Sequence, residues 1–113
     1  AVYAGAAPGE HLACLCRLFP SLLVEAYDPR PFAEELSENG APPNLRLHQE
    51  CFTDEHARQL AARGAATLFI SDIRTADWQR DSPDDHDERL LEDLAAQRRW
   101  LDILQPRRAM LKF

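Results

Sequence analysis

The chain has 113 residues, with a hydrophobic content of 45%, a charged content of 28% and a net charge of −6. These values predict a single globular domain at most, and the excess of acid argues against nucleic-acid binding by the whole surface, without excluding a local basic cleft. Apolar runs are too short to cross a bilayer and no signal peptide is visible, so we expect an intracellular protein (cytoplasmic, nuclear or organellar) that is neither secreted nor membrane-bound.

The first nine residues predict a strand, a tight turn and the start of a helix, and the rest of the chain is organised around this unit. Residues 2–4 are apolar, and Gly5 and Gly9 permit a sharp turn and a close approach to a ligand because neither has a Cβ. Pro8 stands near the helix start, where a missing N–H costs little. The pattern is that of a nucleotide-binding α/β fold, but an ordinary βα turn without a ligand explains it equally well.

The remaining elements follow from hydrophobic periodicity, caps and breakers. A first helix is expected from about Gly9 to Pro20. The later predictions are a strand over 22–27, a short helix over 32–39 stopped by Asn39-Gly40, an edge strand over 45–51, a helix over 55–63 capped by Thr53 or Asp54, a central strand over 67–70, a mobile polar loop over 75–88, a long helix from about 84 to 104, and a strand over 108–113. The expected buried stripe of the long helix is Leu90, Leu91, Leu94, Trp100, Leu101 and Leu104.

Strands and helices alternate with short connections, which predicts a parallel sheet with right-handed crossovers and helices on both faces. The expected class is α/β and Rossmann-like, with strand order 3-2-1-4-5 and a ligand crevice at the strand C-termini near strands 1 and 4. Both ends of the sequence fall inside apparent strands. We therefore expect residues 1–113 to be the central part of one longer domain.

Polar residues follow the second and third predicted strands, where this fold builds its sites. Asp28, with Arg30 close behind, is placed to accept hydrogen bonds from ribose hydroxyls; a plain Asp-Pro turn is the alternative. Phe52 and Thr53 are placed to border an adenine ring, and Thr53 is also an ordinary helix cap.

Two further polar residues follow the strands on the other side. Asp72, with Arg74, emerges from an apolar strand and has little packing reason to be there. Lys112 interrupts a segment that otherwise suits burial. Because these strands are predicted neighbours, Asp72 and Lys112 are expected to meet, and a lysine positioned by a carboxylate can act as a general base toward a hydroxyl. A lysine that extends to solvent from an edge strand is the alternative.

The cysteines and histidines predict no metal site. Cys14, Cys16 and Cys51 are odd in number and lack metal-ligand spacing, and the histidines show none with them. We expect three reduced, mostly buried thiols, with Cys14 and Cys16 on different sides of one helix.

Three segments together resemble a known family. Residues 2–11 (VYAGAAPGEH), 70–74 (ISDIR) and 111–113 (LKF), with the helix around residues 97–106, are similar at these spacings to the poxvirus-type mRNA cap-specific nucleoside-2′-O-methyltransferases. Members of that family also serve as the stimulatory subunit of a viral poly(A) polymerase, and relatives occur in other large DNA viruses and among kinetoplastid cap methyltransferases. The resemblance covers essentially all 113 residues and only the middle of such an enzyme.

The resemblance implies a cofactor, a substrate and site residues. S-adenosylmethionine would lie against Tyr3, Gly5, Pro8, Gly9, Asp28, Arg30, Phe52, Thr53, Asp72 and Arg74. Family members use a Lys-Asp-Lys-Glu tetrad, in which Asp72 matches the aspartate and Lys112 the second lysine. The other two members would lie outside residues 1–113. The implied reaction is methyl transfer to a ribose 2′-hydroxyl of capped mRNA, with an RNA-processing protein as a further partner.

Two other functions stay open at this point. One is a non-catalytic methyltransferase-like subunit that acts as a scaffold or a stimulatory factor in RNA processing or ribosome assembly. The other is an NAD-binding dehydrogenase domain, against which the missing third glycine of Gly-x-Gly-x-x-Gly and the lysine of the last strand both count.

Overall fold

In the computed structural model, residues 1–37, 40–75 and 79–112 are described. Nine elements alternate strictly between strand and helix within these ranges. In chain order they are β1 (Val2–Ala4), α1 (Leu12–Leu18), β2 (Val24–Tyr27), α2 (Glu34–Ser37), β3 (Leu45–His48), α3 (Asp54–Ala62), β4 (Leu68–Ser71), α4 (Pro83–Leu104) and β5 (Arg108–Leu111). The predicted helix stop at Asn39 and strand end at Phe113 lie outside the described residues.

The strands form one all-parallel sheet in the order β3-β2-β1-β4-β5. The predicted α/β, Rossmann-like class and strand order are therefore confirmed. Strands β1 to β3 extend the sheet to one side, and β4 and β5 extend it to the other side of β1. β1 and β4 are therefore neighbours, and the crevice of the fold opens between their carboxyl ends. In register, Ala4 lies opposite Tyr27 of β2 and Ser71 of β4, which places residues 5, 28 and 72 at one edge.

Helices pack on both faces of the sheet, as this class of fold requires. On one face, α3 and α4 cover a core built around Val2, Phe69 and Trp100, with Phe69 and Val2 fully buried. On the other face, α1 and α2 cover a smaller core that includes Leu12 and Leu36. No helix in the described ranges has the length and apolar character needed to cross a membrane.

Helix α4 buries a different face from the predicted one. Leu90, Leu91 and Leu94 are 42%, 66% and 36% exposed, so that half of the predicted stripe is wrong. Trp100 and Leu104 are buried as predicted, and Leu101 packs against the same core. The stripe continues toward the N-terminus through two polar residues, Gln97 and Asp93. Spacings of four, three and four residues put these four buried side chains on one helical face.

The predicted start of the long helix at about residue 84 is confirmed, because α4 begins at Pro83; the loop predicted over residues 75–88 is therefore wrong for residues 83–88. Ser82 is the N-cap and its hydroxyl accepts a hydrogen bond from the backbone N–H of Asp85. Pro83 is tolerated in the first turn, and the acidic residues there favour the positive end of the helix dipole. The acidic run is therefore a helix entry.

Three smaller predictions need correction. β3 ends at His48, not at residue 51, because the chain turns there and the backbone N–H of Glu50 donates to the carbonyl of His48. The short second helix begins at Glu34, two residues later than predicted, and is described as far as Ser37. Cys16 is buried, but Cys14 and Cys51 are exposed, so the expectation of mostly buried thiols is wrong although all three are free.

Candidate functional site

The turn after β1 depends on its first glycine. Gly5 has φ = +78°, and a Cβ at this position would lie 2.7 Å from the backbone carbon and oxygen of Asp72. Gly9, with φ = +74°, closes the turn against Leu12, whose Cδ1 would be 2.6 Å from a Cβ there. Gly5 therefore brings the ends of β1 and β4 closer together than any other residue would allow.

Asp28 closes β2 and is fully engaged by protein donors. Its Oδ1 accepts from the backbone N–H and the Nε of Arg30, at 2.8 and 3.0 Å, and its Oδ2 accepts from the backbone N–H of Ala7 and the Nη2 of Arg30, at 3.0 and 2.9 Å. The first of these bonds is the turn geometry that the sequence offered as an alternative. A carboxylate has about four acceptor positions, and all are used here.

The same contacts set the protonation of Asp28. Burial pushes the pKa of Asp28 upward, but the hydrogen bonds from Arg30 and Ala7 together with the Arg30 charge outweigh it and hold that pKa below its usual value of 3.8. The hydrogen bonds to Asp28 in turn raise the pKa of Arg30. Asp28 is only 1% exposed while the Arg30 side chain is 63% exposed, so the arginine is the partner that is free to move.

Phe52 and Thr53 follow β3. Phe52 is buried, and its ring packs edge-on against Trp100 and against Tyr27, with centroids 4.9 and 5.0 Å apart. Thr53 is the N-cap of α3 and forms a capping box with His56, so the capping role is confirmed. A cleft opens at the carboxyl edge of the sheet. Phe52 forms part of its wall, whereas Thr53 does not.

Asp72 and Lys112 meet, as the predicted strand order required. The Lys112 Nζ lies 2.8 Å from the Asp72 Oδ1, and the Arg74 Nε lies 3.9 Å from the same oxygen. The Lys112 and Asp72 side chains are 36% and 44% exposed. Lys112 follows β5, an edge strand whose residues 108–110 are exposed, so the expectation of a buried lysine is wrong. It is also the only lysine in the chain.

Tyr3 belongs to the same side of the turn as Asp72. Burial, and secondarily the negative charge of Asp72, raises the pKa of Tyr3. Its ring centroid is 5.8 Å from that of His11, at the start of α1. Tyr3 thus lies near enough to Asp72 to be affected by its charge, but it does not line the cleft at the carboxyl edge of the sheet.

A cleft of about 1030 Å³ opens at the carboxyl edge of the sheet against α4, at the upper end of the volumes found for small-molecule sites of about 300–1,000 Å³. Of the predicted site residues, the cleft brings together Gly5, Asp28, Arg30, Phe52 and Arg74. The other predicted site residues do not line it: Tyr3, Pro8, Gly9, Thr53, Asp72 and Lys112. Its lining is mixed in charge and includes both arginines and acidic residues: Arg30, Arg74, Arg89, Arg99, Asp85, Glu88, Glu92 and Asp93.

Sequence reasoning missed the contribution of α4 to this site. Asp93 accepts hydrogen bonds from the backbone N–H and the hydroxyl of Thr75, at 3.0 and 2.7 Å. Gln97 donates from Nε2 to the backbone carbonyl of Lys112, at 3.0 Å. The signal was their spacing from Trp100 and Leu104, but the leucines on the opposite face offered a more apolar stripe.

The comparison with known proteins gives the family at this point. The sequence model described as poly A polymerase regulatory subunit matches residues 1–113. The chain belongs to this family. The family named from the sequence is thus confirmed at that level, while methyl transfer stays a prediction. No curated protein matches the sequence significantly.

Proposed function

We propose that this member of the poly A polymerase regulatory subunit family binds S-adenosylmethionine and transfers its methyl group to a ribose 2′-hydroxyl of capped mRNA. The observation that carries the proposal is the ion pair of Asp72 and Lys112 beside the Gly5 turn. An amine and a carboxylate at neighbouring strand ends can hold a hydroxyl near a ligand that lies over the turn. Nothing about the packing of an exposed edge strand requires that pair.

The residues around the turn suit an adenosine-containing cofactor. The strand order places Asp28 on one side of Gly5 and Asp72 on the other, so a ligand that crosses the turn would touch both strand ends. Asp28 would hold the ribose by accepting hydrogen bonds from its hydroxyls in place of those from the Arg30 side chain, which is mostly exposed. Phe52 offers an apolar ring in the cleft for the base.

The charge pattern of the cleft favours a small ligand over an RNA backbone. Its wall contains both arginines and carboxylates, whereas a phosphate backbone binds surfaces that are predominantly positive. S-adenosylmethionine carries charges of both signs and supplies an activated methyl group. RNA would then approach the Asp72–Lys112 pair from the exposed edge at β5.

In this scheme the chain positions a hydroxyl and removes its proton. Lys112 Nζ, held by Asp72, would orient the ribose hydroxyl, and it would accept the hydroxyl proton only as the neutral amine, after giving up its own proton to solvent; Asp72 would fix the direction of the Nζ group. Methyl transfer is an in-line displacement, so correct positioning supplies much of the rate. The exposure of both side chains leaves room for a substrate.

The direct test is methyl transfer to capped RNA by Lys112→Ala, with Arg107→Ala as a control that removes an exposed positive charge five residues earlier. We expect Lys112→Ala to lower the rate of methyl transfer about 100-fold or more, with the affinity for S-adenosylmethionine unchanged. Arg107→Ala should retain activity. Turnover by Lys112→Ala at the wild-type rate would contradict the assignment.

A non-catalytic regulatory subunit is the second candidate. The observation in its favour is the family itself, whose description is regulatory, together with the saturation of Asp28 by protein donors. In that case the chain would act on a poly(A) polymerase and its RNA without binding a methyl donor. Stimulation of polyadenylation that is unchanged in Asp28→Ala and Lys112→Ala, in a protein without methyl transfer, would favour this candidate.

A further inference from the structure

Helix α4 buries two polar residues on the face that it turns to the sheet. Gln97 is 2% exposed and Asp93 is 8% exposed, whereas Leu91 on the same helix is 66% exposed. Burial of polar groups costs free energy unless their hydrogen bonds are replaced. A helix held in place by hydrophobic contacts alone would turn its leucines inward, so the contacts of Asp93 and Gln97 explain the observed orientation.

Asp93 fixes the backbone just beyond Asp72. Its two oxygens accept from the N–H and the hydroxyl of Thr75, three residues after Asp72. One helical turn earlier, Arg89 donates from Nη1 to the carbonyl of the same threonine, at 3.2 Å. Both the N–H and the carbonyl of Thr75 are therefore bound to α4, and the segment that carries Asp72 and Arg74 is held from its far end.

Gln97, one turn after Asp93, fixes the backbone of Lys112. Its Nε2 donates to the Lys112 carbonyl, while the Lys112 N–H donates to the carbonyl of Ser71 at 3.0 Å. Lys112 lies just past the end of β5, so its N–H is bound to β4 and its carbonyl to α4. The Gln97 Oε1 is buried and has no hydrogen-bond partner within the described ranges. The Nε2 donor is therefore the reason for an amide at this position.

We infer that α4 sets the distance between Asp72 and Lys112, with Asp93 and Gln97 as positioning residues that act through the backbones of Thr75 and Lys112. The two side chains are one turn apart on one helix; Gln97 binds the backbone of Lys112 itself, and Asp93 binds Thr75, three residues after Asp72. The role of the ion pair in this inference rests on the proposed function. The coupling of the Asp72–Lys112 distance to α4 does not depend on methyl transfer.

The test is the chemical reactivity of the Lys112 amine, followed by trace acylation and peptide-resolved mass spectrometry in the whole protein. Gln97→Met keeps the side chain's size and removes its donor. Thr75→Val removes the hydroxyl bond to Asp93 at an exposed residue, where a loss of folding is not expected. Asp102→Asn, at an exposed position on the same helix, is the matched control.

We expect Gln97→Met and Thr75→Val each to raise the labelling rate of Lys112 about fivefold, the effect of losing one hydrogen bond on a local equilibrium, and Asp102→Asn to leave it unchanged. In an Asp72→Asn background, where the ion pair is already gone, the same two substitutions should have no further effect. A structural role without positioning would raise labelling equally in both backgrounds. That result, or unchanged labelling in Thr75→Val, would overturn the inference.

Methyl transfer gives a second reading that separates this inference from the proposed function. If the wild type transfers methyl groups, Gln97→Met should lower kcat with little change in KM for S-adenosylmethionine. If the wild type does not, the proposed function fails, and the labelling experiment still decides whether α4 couples Asp72 to Lys112.

Discussion

Arg30 occupies every acceptor position of Asp28 that the carboxylate does not give to the backbone of Ala7. One consequence is structural, because Asp28 ties the end of β2 to the turn after β1. The other concerns the proposed function, because a cofactor ribose would reach Asp28 only by taking the place of the arginine's N–H groups. The buried Asp28 carboxylate holds the turn, and the exposed Arg30 side chain is the group that would move to admit a ligand.

The pH dependence of stability follows from the lowered pKa of Asp28. A carboxyl whose folded pKa lies below its unfolded value of 3.8 stabilises the fold fully above that value and loses its contribution as the pH falls through the folded pKa. Asp28→Asn should therefore lower the free energy of unfolding by about 1–3 kcal/mol at neutral pH. The difference from wild type should vanish in strong acid. Urea unfolding across the acidic range measures both, with Asp102→Asn as the control; a difference independent of pH would argue against this role for Asp28.

Gly5→Ala is expected to disrupt the turn for two separable reasons. A positive φ costs a non-glycine residue about 1–2 kcal/mol, and the new Cβ would meet the Asp72 backbone at 2.7 Å. Gly64→Ala is a matched control, because Gly64 has φ = +66° with nothing within 4 Å of a Cβ. We expect Gly5→Ala to cost about 1–3 kcal/mol more than Gly64→Ala in urea unfolding. Equal costs would mean that the close approach of β1 and β4 is not needed.

The orientation of α4 is tested by two leucines of the same helix. Leu104 is 6% exposed and Leu91 is 66% exposed. Leu104→Ala should lower the free energy of unfolding by about 2–5 kcal/mol, whereas Leu91→Ala should change it by less than about 0.5 kcal/mol. Thermal or urea unfolding decides the matter. A larger loss of stability in Leu91→Ala than in Leu104→Ala would mean that α4 buries the leucine stripe that the sequence favours.

The sequence predicts the sheet better than it predicts the surface of the site. Strict alternation of short strands and helices predicts the parallel sheet, and the expected order for this class of fold brings Asp72 to Lys112, as observed. The saturation of Asp28 by Arg30 depends on a side-chain conformation that no periodicity encodes.

The face of α4 could not be predicted for a related reason. Local apolarity favours Leu90, Leu91 and Leu94. The observed face is selected by the hydrogen bonds that Asp93 accepts from Thr75 and by the one that Gln97 donates to the Lys112 carbonyl. Such partners exist only once the sheet is formed, so the tertiary contact outweighs the local pattern.

The most direct test of the central claim is isothermal titration of the protein with S-adenosylmethionine and, separately, with NAD. The account predicts that S-adenosylmethionine binds with a Kd in the micromolar range, that NAD does not bind, and that Asp28→Ala, shown to be folded by circular dichroism, loses the binding. Binding of NAD alone, or of neither compound, would contradict the account. If neither compound binds, the chain would be a regulatory subunit that acts without a methyl donor.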